Sequence, residues 1–105
     1  MKEISVTELK SMIDNKEDFQ LIDVREQHEF DMVNIGGLHI PMGDILFNTE
    51  QIEKNKKVIV HCRSGARSGS VIQALESEHG FTNLYNLKGG ILAYADQIDP
   101  SLIKY

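Results

Sequence analysis

Apolar positions along the chain fall into short runs, and the spacing inside each run changes from one to the next. Leu9, Met12 and Ile13 follow a helical period, with Ser5 or Thr7 as the cap and Glu8 in the first turn. Residues 19–24 are almost continuously apolar and predict a buried strand. Residues 26–32 predict a short helix or turn, 34–37 a loop, and 38–40 a brief strand stopped by Pro41. Residues 45–52 are weakly amphipathic and predict a further helix. Val58-Ile59-Val60 is a β-branched run that predicts a strand over 58–61, followed by a tight polar loop over 62–67. Val71, Ile72, Ala74 and Leu75 then place a helix at about 68–78, which Gly80 ends. A strand at 83–86, a turn at Lys88-Gly89-Gly90 and a last helix over 91–98 complete the pattern. Strands alternating with helices imply a mostly parallel sheet with helices on both faces, joined by right-handed crossovers.

The chain has 105 residues, the length of one ordinary domain, and contains no repeat, linker or low-complexity tract. Residues 1–105 are therefore read as a single domain. Its 41% hydrophobic and 26% charged content match those of a globular protein. No apolar stretch reaches the roughly 20 residues of a membrane span, and no signal-peptide pattern opens the chain. A single cysteine excludes a disulfide framework within the chain, and the expected compartment is the cytoplasm. A net charge of −5 argues against nucleic acid or an anionic membrane as partner.

That single cysteine, Cys62, falls where the 58–61 strand gives way to Arg63-Ser64-Gly65-Ala66-Arg67-Ser68. Reacting groups and ligands collect at the carboxyl ends of strands in open α/β sheets. If the loop curls, its amides converge above the sulfur as an anion nest, and the helix behind adds its positive end. Gly65 permits a left-handed turn, and Arg63 and Arg67 supply two permanent cations with forked donors. All of these favour thiolate over thiol, with the arginines expected to supply most of the effect. Ser68 reads as the N-cap of the following helix. Asp23 closes an apolar strand, and its expected role is to accept backbone N–H groups or pair with Arg25, steadying the turn beside the loop.

Cys62-Arg63-Ser64-Gly65-Ala66-Arg67-Ser68 resembles the active-site loop of single-domain rhodanese-like sulfurtransferases. Leu21-Ile22-Asp23-Val24-Arg25-Glu26 with Glu29-Phe30, Ile40-Pro41, and Asn86-Leu87-Lys88-Gly89-Gly90-Ile91 with Ala93 match the same family in order. The resemblance implies an α/β domain with a central sheet of about five strands. It also implies Cys62 as nucleophile, Arg63, Ser64, Gly65, Ala66 and Arg67 as substrate-binding residues, and Asp23, Arg25 and Ser68 as scaffold. The implied reaction moves a sulfane sulfur from thiosulfate or a related small anionic donor, through a Cys62 persulfide, to a thiol, cyanide or a partner protein. No cofactor is expected. The chain departs from the family pattern at Val33-Asn34, at Gly37, and at Tyr94, where tryptophan is common.

Two other readings compete. One is a non-catalytic rhodanese-like binding module. The other is a cysteine phosphatase or arsenate reductase, whose loops have five residues between Cys and Arg where this chain has four. His28, His39, His61 and His79 lack metal-ligand spacing, so no metal is expected. His61 reads as a satisfied core histidine, Tyr94 and Phe81 as core, and Gly89-Gly90 as a turn or a point of close ligand approach.

Overall fold

The run centred on Ile59 forms the middle of the sheet. The computed structural model describes residues 1–105. Its strands are β1 (Glu3–Ile4), β2 (Gln20–Asp23), β3 (Leu38–His39), β4 (Val58–His61) and β5 (Leu84–Leu87). The helices are α1 (Val6–Asp14), α2 (Gln27–Met32), α3 (Ala66–His79) and α4 (Gly90–Gln97). All five strands are parallel, in the order β1-β5-β4-β2-β3.

Alternation along β2 and β4 divides the core. Leu21 and Ile59 face Val6, Leu9 and Met12 of α1 and Tyr94 of α4. Ile22, Val58 and Val60 face Val71, Ile72 and Leu75 of α3. Cys62 continues the Val58–Val60 face, so the nucleophile candidate sits at the top of the α3 side. The strands are apolar on both faces because helices cover both. Ser5 caps α1 through a capping box with Glu8: the Glu8 amide donates to Ser5 Oγ, and the Ser5 amide to Glu8 Oε1. No helix is long and apolar enough to cross a membrane.

Four expectations need correction. Residues 45–52 form not one helix but two short 3₁₀ turns, Ile45–Phe47 and Thr49–Gln51. Asn48 divides them, its side chain donating to the Asp44 carbonyl in competition with the helical pattern. Only Ile45 and Ile52 are buried there. Helix α3 begins at Ala66, two residues early, with Gly65 in the cap position, so Ser68 lies inside the helix. Strand β1 goes unnamed by the pattern because two residues carry no period; it is defined by pairing with Asn86 and Leu87. His61 is buried as expected, yet neither ring nitrogen has a hydrogen-bond partner. Its nearest charged neighbour is Asp23, with Nε2 3.7 Å from Oδ2.

Burial holds the His61 imidazole down to about 4, against the partial pull of Asp23 toward the charged form. The unfolded chain takes up that proton near pH 6.5, so stability is present above 6.5 and is lost as pH falls toward 4. A loss of about 3 kcal/mol is expected across this window. Denaturant unfolding at a series of pH values checks it. His61→Leu should flatten the slope above about pH 5, where the carboxylates do not yet titrate, without lowering stability at neutral pH.

Candidate active site

Where β4 ends, the main chain is taken over by the N-terminus of α4. The amides of Ile91 and Leu92 donate to the carbonyls of Cys62 and Arg63 at 3.0 and 3.1 Å. Such contact needs backbone to meet backbone, and Gly90 allows it. A Cβ built there would lie 2.4 Å from the Arg63 carbonyl oxygen, and the residue has φ +62°. The expected turn is there at Lys88-Gly89, and Gly90 after it is a point of close backbone approach. It admits the loop.

With its first carbonyls held outward, the loop closes on the sulfur. The Gly65 amide donates to Cys62 Sγ at 3.1 Å, the Ser68 amide at 3.5 Å, and Ser68 Oγ lies at 3.4 Å. Gly65 reaches this position at φ +105°, the left-handed region. Ser68 is fully buried, and its one hydroxyl proton goes to Asn86 Oδ1 at 2.6 Å. Asn86 in turn donates to the Gly65 carbonyl at 3.0 Å, tying β5 to the loop. Cys62 itself is 1% exposed.

Burial is the largest single influence on the Cys62 thiol and pushes it up. Ser68 and the amides of Gly65 and Ser64 outweigh burial, so the thiol lies below its ordinary value. The leading causes are loop donors rather than the arginines. Arg67 is engaged elsewhere: its guanidinium grips Glu29 in a fork, at 2.7 and 2.9 Å. That pairing holds the Glu29 carboxyl well below the usual carboxylate range and raises Arg67. Arg63 donates to the main-chain oxygen of Tyr105, with its guanidinium 5.1 Å from the Tyr105 ring centroid. Ser64 and Ala66 are exposed, and Gly65 and Arg67 half-buried.

Asp23 and Arg25 form a second layer beneath. Asp23 accepts the Arg25 amide at 3.0 Å, and its two oxygens accept Nε and Nη2 at 3.0 and 2.8 Å. Both side chains are fully buried. Arg25 also donates to the Val33 carbonyl and to the Tyr105 hydroxyl, which donates to Glu29 Oε2 at 2.6 Å. Glu29, Asn86 and Tyr105 were not singled out from the sequence as site residues. Glu29 carried a faint signal as a carboxylate three residues into a short helix. Its Oε1 accepts the Glu26 amide at 3.0 Å. No three His, Cys, Asp or Glu side chains gather as a metal-binding group.

A rhodanese-like domain model matches residues 5–97. The chain is 41% identical over 101 residues to "Putative sulfurtransferase YtwF" of Bacillus subtilis, covering 95% of this chain and 96% of that one. It is 34% identical over 96 residues to a sulfurtransferase of Allochromatium vinosum, covering 90% and 89%. Among solved structures, a rhodanese-like domain protein from Staphylococcus aureus superposes with a TM-score of 0.84 at 31% identity, covering 100% and 99%.

Two substitutions test the construction of the loop. Gly90→Ala should destabilise the protein by more than about 1 kcal/mol in denaturant unfolding, because the φ is strained and the Cβ meets the Arg63 carbonyl. Ser68→Ala should cost about 1–3 kcal/mol in the same measurement, because Asn86 Oδ1 loses its donor.

Proposed function

From the premise that the chain belongs to the rhodanese-like domain family, we propose that it is a sulfurtransferase acting through Cys62 as one domain over residues 1–105. The observation that carries this reading is the pair of amides aimed at Cys62 Sγ, from Gly65 and Ser68, within 3.5 Å. They stabilise negative charge on sulfur, whether it is a thiolate or the terminal atom of a persulfide.

In the first half-reaction the Cys62 thiolate attacks the outer sulfur of thiosulfate. The S–S bond of the donor breaks, sulfite leaves with the electron pair, and a negatively charged persulfide remains on Cys62. The amides of the 63–67 loop hold the persulfide, with Arg63 bearing on the departing anion. Arg67, pinned by Glu29, contributes as a fixed charge on the loop wall. Asp23, Arg25 and Ser68 keep the loop in shape. In the second half-reaction a thiol, cyanide or a partner protein takes the outer sulfur and the thiolate returns. The chain has no second cysteine, so the sulfur leaves to another molecule. A reducing compartment such as the cytoplasm suits a lone thiol with this task.

The loop size favours sulfur over phosphate. Four residues separate Cys62 from Arg67, and the Gly65 amide already lies 3.1 Å from Sγ, a contraction suited to one added atom rather than a tetrahedral oxyanion.

Incubation with thiosulfate should add about 32 Da to the intact mass, one sulfur atom held covalently. Cyanide should remove the increment, and Cys62→Ser should neither gain it nor turn over thiosulfate and cyanide above the protein-free control. A wild-type protein that gains no mass from thiosulfate or any other sulfane donor would leave the non-catalytic binding module as the better reading.

A further inference from the structure

Beyond α4 the chain does not trail away. Ile98 and Asp99 amides both donate to the Tyr94 carbonyl, and the Leu102 amide donates to that of Asp99. Ser101 is held by the Asp99 carboxylate, and Lys104 pairs with Asp96 at 2.9 Å. Leu102 packs on the core cluster shared by α1 and α4. This strap delivers Tyr105 onto the face of the loop that carries Arg63.

There Tyr105 meets Arg63, Arg25 and Glu29. Its main-chain oxygen accepts from the Arg63 guanidinium, and its ring lies against Arg63 and Arg25, 5.1 and 5.8 Å from their guanidinium carbons. Its hydroxyl accepts from Arg25 at 2.9 Å and donates to Glu29 at 2.6 Å. The two arginines of the loop thus differ. Arg67 belongs to Glu29, a buried partner that holds it by two bonds. Arg63 is exposed, and its hydrogen bond is to this strap.

Removal of Tyr105 from the site leaves its buried ion pairs in place. Glu29 keeps its fork with Arg67, and Arg25 keeps both oxygens of Asp23, so no buried charge is left alone. Arg25 Nη1 and Glu29 Oε2 each lose the Tyr105 hydroxyl, and Arg63 loses its acceptor oxygen. A small anion approaching Cys62 offers Arg63 the same thing: an oxygen acceptor.

We propose that Tyr105 is a specificity-determining residue that competes with anionic donors for Arg63, lowering the site's affinity for them relative to neutral reactants. This rests on the sulfurtransferase reading for the identity of the donor, but not for the competition itself. A neutral reactant does not draw on Arg63 and is indifferent to Tyr105.

The test pairs a kinetic and a chemical readout. For Tyr105→Ala, which removes the ring and hydroxyl that hold the main-chain oxygen against Arg63, the KM for thiosulfate should fall about three- to tenfold with kcat unchanged, the scale of one exposed charge-assisted contact. Alkylation of Cys62 by iodoacetate should accelerate relative to iodoacetamide by a similar factor. Lys104→Gln, which loosens the strap without touching the loop, should shift both readouts in the same direction and guards against a folding defect at position 105. An unchanged iodoacetate to iodoacetamide ratio, with both rates fixed or both rising together, overturns the proposal; the second case would make Tyr105 a steric cover. The alkylation ratio needs no turnover. If the wild type moves no sulfur while the ratio still rises in Tyr105→Ala, the functional reading fails and the competition stands.

Discussion

Two main-chain hydrogen bonds, from the Ile91 and Leu92 amides to the Cys62 and Arg63 carbonyls, decide the shape of the loop. A peptide unit has a donor and an acceptor facing opposite ways, so fixing the first carbonyls against α4 leaves the later amides free to turn toward the sulfur. The arrangement depends on α4 approaching the loop within backbone contact. Gly90 is the residue that permits it, with the Arg63 oxygen where a Cβ would stand. The remainder of the fold supplies the platform. Strand β4 carries Cys62 to the edge of the core, α3 brings Ser68 beneath it, and β5 brings Asn86 to hold Ser68 and Gly65.

The electrostatics follow from that geometry rather than from free charge. The protein is acidic, with a net charge of −5, and the arginines near the sulfur are spoken for by Asp23, Glu29 and Tyr105. What faces Cys62 Sγ is a set of oriented dipoles. Dipoles fixed by a fold need no reorganisation when charge appears on the sulfur, and they respond weakly to dissolved salt. A charge relayed through Glu29 and Arg67 stiffens the wall of the loop instead of neutralising the thiolate.

Much of this was legible in the sequence because it rests on local pattern. The β-branched run at 58–60, the polar loop after it and the helical spacing from Val71 place Cys62 correctly at a strand end, and the Asp23–Arg25 pair follows from a carboxylate closing an apolar strand. What escaped rests on distance in sequence. Ser68 read as a cap because its hydroxyl suits one; only the approach of Asn86, 18 residues on, shows that it works inside the helix. Glu29 and Arg67 lie 38 positions apart, and Tyr105 meets Arg25 across 80. No spacing rule joins such pairs. The weight placed on the arginines as activators of the thiol erred for the same reason, since their partners could not be seen.

The account claims that fixed amides, not mobile cations, hold charge on Cys62. Titration of the wild-type thiolate at low and at about 1 M salt measures this directly, since salt at that strength screens exposed charges beyond about 3 Å. The expected result is an inflection below that of an ordinary cysteine, with the same position at both salt concentrations. An inflection at or above the ordinary cysteine value, or one that climbs with salt, would contradict it and return the role to the arginines.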